Sequence, residues 1–90
     1  MSNAGLADAA SALDAMAAGI EPNRAELISG ALALNYCIDK ETMNAKLQAA
    51  ALGLEVQAAA PYDRRAYLGE AGRRYVGTLA EAVRELLAAR

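Results

Sequence analysis

The residues best suited to chemistry lie in the last third of the chain, where Arg64-Arg65 and Arg73-Arg74 alternate with Tyr62, Tyr67 and Tyr75. Guanidinium groups bind phosphates and tyrosine rings stack on bases, so this is the composition a nucleic-acid-binding helix would need. Its neighbours weaken that reading. Glu70 precedes Arg73 and Arg74 by three and four residues, and Glu81 precedes Arg84 by three, so part of the positive charge is paired within the helix. Arg64 and Arg73 are nine residues apart, half a turn out of phase on an unbroken helix. The formal net charge of the whole chain is −2, a poor footprint for phosphates. Residues 1–45 hold six acids and two bases and residues 46–90 five acids and seven bases, which polarises the chain without making it basic. A helix-turn-helix over residues 24–52 fails on the same ground, since its second helix would offer only Lys40, Lys46, Asn44 and Gln48 against Glu41.

Other chemistry is limited by what is missing. The chain has no His, which removes the usual general base near neutral pH, the commonest metal ligand and any Ser-His-Asp arrangement. Cys37 is the only cysteine, so neither an intramolecular disulfide nor a thiolate zinc site can form, and a reducing, cytoplasmic setting is expected. Cys37 falls on a helix and reads as a small apolar core residue. Glu81 and Glu85 share a helix face, but like-charge neighbours on an exposed face are ordinary and do not make an acid–base pair. No catalytic residue, cofactor site or metal site is expected.

The elements that must position these residues are helical. Of ninety residues, 24 are alanine, and the hydrophobic set is 56% of the chain while Phe and Trp are absent. Alanine has the best helix propensity and little volume, which favours closely packed helices over strands. Ninety residues make one domain, and 22% charged residues interrupt the chain too often for a membrane span. The alanine-rich stretch from Ala4 to Ile20 is broken by Asp8 and Asp14 and has no Lys or Arg ahead of it, unlike a signal peptide. Ser2-Asn3-Ala4 resembles the remnant left by tag removal, so residues 1–4 are set aside and residues 5–90 are taken as one helical domain.

Four helices are expected, over about residues 6–18, 23–37, 40–60 and 63–89. Leu6, Leu13 and Ile20 form the stripe of the first, with Gly19 as its C-terminal cap and Pro22 as its stop. Asn23 with Glu26 opens the second, whose apolar face is widened by Ile28, Leu32 and Tyr36 until the helix reads as largely buried. Asp39 is the expected cap of the third, which is apolar nearly all round from Leu47 onward because Leu52 and Val56 lie off its main stripe. Gly53 within it implies close approach of another backbone. The fourth is the clearest amphipathic segment, with a kink or break expected near residues 69–72, where Gly69 and Gly72 fall.

These stripes imply an all-α fold, a small bundle or orthogonal array, with a core of small pieces that is marginal as a lone monomer. The function expected is a non-enzymatic protein–protein interaction module, an adaptor, chaperone-like protein or assembly subunit, that self-associates as a homodimer or docks a partner helix through helix three and the seam of helix four. Leu52, Val56, Tyr67, Arg73, Arg74 and Tyr75 are the residues chosen for that contact, since Tyr and Arg are enriched at binding hot spots. The tyrosines otherwise read as the largest packing units of the core. Nucleic-acid binding through Arg64, Arg65, Arg73 and Arg74 is the alternative, and an accessory domain of a larger enzyme the third.

Overall fold

The computed structural model describes residues 3–37, 44–59 and 69–89. They form four helices, α1 (Asn3–Ala17), α2 (Arg24–Cys37), α3 (Ala45–Ala59) and α4 (Gly69–Ala88). The fold is all-α, as the sequence requires. Each helix packs on its neighbour in the chain, and α4 closes the set by returning to α1, which makes the most extensive contacts of all, with α4 and with α2.

The helix ends follow from local chemistry. α1 terminates in a Schellman motif: Gly19 has φ of 75°, its N–H donates to the Met16 carbonyl at 3.1 Å, and the Ile20 N–H donates to the Ala15 carbonyl at 2.8 Å. Only glycine takes that left-handed conformation without strain, so the turn is set by one residue. The reversal carries Ile20 out of the Leu6–Leu13 stripe and leaves it exposed. Asn23 caps α2, its side-chain oxygen accepting from the Glu26 N–H at 3.2 Å.

The third helix starts later than its composition suggests. Asn44 is its cap, accepting from the Leu47 N–H through Oδ1 at 2.9 Å, so α3 opens at Ala45 and not after Asp39. Asp39 itself lies outside the described residues. At Gly69 φ is 80°, a left-handed residue at the head of α4 where the sequence placed a break. The expected helical start at Asp63 lies outside the described residues, as do Arg64, Arg65 and Tyr67.

The core is small in its pieces. Among the described residues eight of the eighteen buried apolar ones are alanine, and the largest fully buried side chains are Leu6, Leu13, Met16, Leu34, Leu54 and Val83. The contact between α1 and α2 shows why small residues are needed. A Cβ built on Gly30 would lie 2.6 Å from the Ala9 Cα and 2.9 Å from the Ala9 nitrogen, and one built on Gly5 would lie 2.6 Å from the Ala33 Cβ. The two backbones meet there with no room for a methyl group. α4 closes on the other side of α1, burying Val76, Leu79, Ala80 and Val83. Arg84 clasps it, donating to both carboxylate oxygens of Asp14 at 2.7 and 2.8 Å.

That clasp replaces the local pair with Glu81 that spacing implies. The hydrogen bond from Arg84 to Asp14, then the Coulomb attraction between them, raise the guanidinium pKa above its already high value. A raised pKa contributes fully below the unfolded value and is lost only as pH rises through the folded one, so Arg84 stays charged throughout the physiological range. Both partners are about half exposed, so the pair is worth at most about 1 kcal/mol. Asp14→Ala is expected to lower stability by no more than that, with the difference shrinking in high salt, read from urea melts.

Gly53 behaves unlike Gly30. Nothing lies within 4 Å of a Cβ built on it, so the close approach implied by its position in the helix does not occur. Thermal melts should separate the two glycines. Gly53→Ala is expected to stabilise the fold by about 0.5–1 kcal/mol through helix propensity, whereas Gly30→Ala drives a methyl into the backbone of α1 and should cost about 1–3 kcal/mol or more.

Candidate docking surface

Position along α2 decides what its side chains can reach. Leu27, Ala31 and Leu34 point into the core, and Gly30 and Ala33 meet α1. Ile28, Leu32 and Tyr36 are each one or two residues further on, about 100–200° round the helix, and no described element covers them. They form a single row at i, i+4 and i+8, exposed at 46%, 49% and 75%. The expectation that helix two is largely buried is therefore wrong on this face. A four-helix ring covers only two sides of each member, and α2 uses its two on α1 and α3.

Beside that row lies a groove of about 740 Å³ between α2 and α3, lined by Ile28, Leu32 and Tyr36 on one side and Glu55, Ala58 and Ala59 on the other. Ala31 and Asn35 complete its lining. Polar contacts stitch its two helices together. Asn35 donates from Nδ2 to Glu55 Oε1 and to the Ala31 carbonyl at 2.8 Å. The Arg24 guanidinium donates to the Ala58 carbonyl near the C-terminal end of α3, where the helix dipole favours a cation.

Leu52 and Val56 continue the apolar surface on the outer side of α3, exposed at 61% and 53%. With Glu55 and Ala59 they occupy positions i, i+3, i+4 and i+7, one face of the helix. Glu55 and Ala59 of that face line the groove, so the two α3 residues chosen from the sequence stand on the helix face that borders it, across from the row on α2 that was read as core. The run Leu27–Cys37 contains no charged residue, and this was the available signal. An uncharged run is equally what a buried helix and a docking helix look like.

The remaining chosen residues are elsewhere. Tyr75 is 54% exposed and lines a hollow of about 230 Å³ with Gly53, Gly72 and Leu79, so it is not a core packing unit, and neither is Tyr36. Arg74 pairs with Glu70 at 3.3 Å on a fully solvated surface. Arg73 runs along the end of α1, its Cδ 3.8 Å from a Cβ built on Gly19. The seam of α4 that was offered to a partner is taken up by α1, with Leu86 and Leu87 half-buried at its far end. Tyr67, Arg64 and Arg65 lie outside the described residues, as does the side chain of Cys37.

Polar chemistry is sparse. Lys46, Thr78, Glu81 and Glu85 line a hollow of about 390 Å³ between the start of α3 and α4. Among the described residues no three Cys, Asp or Glu side chains converge as metal ligands. No described helix is long and apolar enough to cross a membrane. Comparison with protein-family models, with curated proteins and with solved structures returned no match.

Leu32 and Leu34 of α2, two positions apart, should respond very unequally to truncation. Leu34 is fully buried, and Leu34→Ala is expected to cost about 2–5 kcal/mol. Leu32→Ala, at a half-exposed position, should cost less than about 1 kcal/mol when unfolding is measured at low protein concentration.

Proposed function

We propose that the chain is a non-enzymatic helical interaction module that binds another polypeptide through the exposed α2–α3 face. One observation carries this reading: Ile28, Leu32, Tyr36, Leu52 and Val56 stand 46–75% exposed on two neighbouring helices. Together they offer on the order of 500 Å² of apolar surface, the size that marks interaction sites on small proteins. Leaving such a patch in water is unfavourable, so its burial against a partner is a source of affinity.

The absence of His from the sequence removes the usual general base near neutral pH, which supports a binding role over a catalytic one. Nucleic-acid binding is less well supported, because Arg74 is paired with Glu70 and the chain is net negative. A cytoplasmic location rests on the single cysteine alone.

Site-specific photo-crosslinking in cells that express the protein tests the proposal. A photoreactive residue at position 32 or 52 should yield discrete polypeptide adducts, and one at position 85, on the exposed side of α4, should not. Adducts that are equal at all three positions, or absent at 32 and 52, would overturn it. Binding to single-stranded DNA in dilute salt that disappears on replacing Arg73 and Arg74 by Ala would favour the nucleic-acid alternative instead.

A further inference from the structure

Resting on that reading of the α2–α3 face, we infer that its occupant is a second copy of this chain, with the two α2 helices antiparallel across a two-fold axis at Leu32 and each Tyr36 seated in the other copy's groove.

The row is self-complementary. Ile28 and Tyr36 are each four residues from Leu32, so a two-fold axis there sets Ile28 against Tyr36 of the second copy, twice. Isologous contacts of this kind require that one patch match its own image. A row spaced at i±4 is also the ridge that packs into its own kind in the commonest helix-crossing class, at about −50°.

Shape agrees with spacing. Tyr36 is the most exposed large apolar side chain among the described residues, at 75%, and the groove whose wall includes Ile28 has a volume of about 740 Å³ and is bordered by Ala31, Ala58 and Ala59. The ring that projects furthest from one copy thus faces the small-residue hollow of the other. Glu55 lines the same groove. Its carboxylate accepts from Asn35 and has further lone pairs for a phenolic O–H, which removes the cost of burying the tyrosine hydroxyl.

Charge points the same way. From Leu27 to Cys37 there is no charged side chain, so two identical α2 rows meet without repulsion although each chain is net negative. A strongly acidic partner would find no complement there, since Glu55 is the one charged side chain among the residues lining the groove. Area is sufficient as well. Two such faces opposed remove on the order of 1,000 Å² before the surrounding rim is counted, the threshold for a specific association.

Sedimentation at micromolar concentration, compared across variants, is the test. The wild type should sediment as a dimer. Leu32→Glu places two carboxylates against each other at the axis and is expected to weaken dimerisation by on the order of 100-fold or more, while circular dichroism of the dilute protein stays unchanged because Leu32 is half-exposed in one copy. Tyr36→Ala should weaken it too. In a Cys37→Ser background, Leu32→Cys should form an intermolecular disulfide on mild oxidation much faster than Leu52→Cys, since only position 32 meets itself.

A monomer at every concentration, with adducts to a different polypeptide at position 32 in cells, overturns this inference and leaves the docking function standing. A monomer with no adducts overturns both. A dimer indifferent to Leu32→Glu and Tyr36→Ala pairs through some other face and overturns the inference alone.

Discussion

The close approach of α1 and α2 is the constraint on which the rest of the structure depends. At Gly30 and Ala9 the two backbones come too close to admit a methyl group between them, and Gly5 against Ala33 repeats the contact one turn away. Helices can approach so nearly only where both present glycine or alanine, and dispersion forces reward the approach because atoms of both main chains are then in contact. α1 is thereby fixed against α2 on one side and free to receive α4 on the other. Its alanines, which bury little area individually, become the centre of the core.

The arrangement has a consequence at the opposite edge. α4 separates its apolar and polar residues cleanly, and its apolar stripe is absorbed by α1. α2 and α3 do not separate theirs, carrying apolar side chains nearly all round. A ring of four short helices has two contact sides per helix, so apolar residues on a third side have nothing to pack on among the described helices. Ile28, Leu32 and Tyr36 on α2 and Leu52 and Val56 on α3 are those residues. A core built from small side chains and an uncovered apolar face fit together physically. The first limits what a single copy can bury, and the second supplies what association would add.

Local features of the fold were readable in the residues. Gly19 as a left-handed cap and Asn23 as an N-cap each follow from the conformational preference of one side chain, and the structure shows both. Asn44 as the cap of α3 went unread because Asp39, with acidic residues following, matched the same pattern earlier in the chain. Gly53 and Gly30 illustrate the limit. Both are glycines within helices, yet only Gly30 meets another backbone. Of the candidate contact residues, Leu52 and Val56 were visible because they fall off a stripe, whereas Ile28, Leu32 and Tyr36 widened one and so resembled core.

By itself, then, the sequence determined the all-α class, the number of helices, most of their ends and the small-residue character of the core. These depend on propensity and on contacts spanning four or five residues, which are written in the local order of the chain. Only the tertiary structure decided that α1 is the central helix, that Arg84 pairs with Asp14 and not with Glu81, and that one face of α2 is left open. Those outcomes depend on which helix occupies which side of which neighbour, and a periodic pattern states that a face is apolar without stating what lies against it.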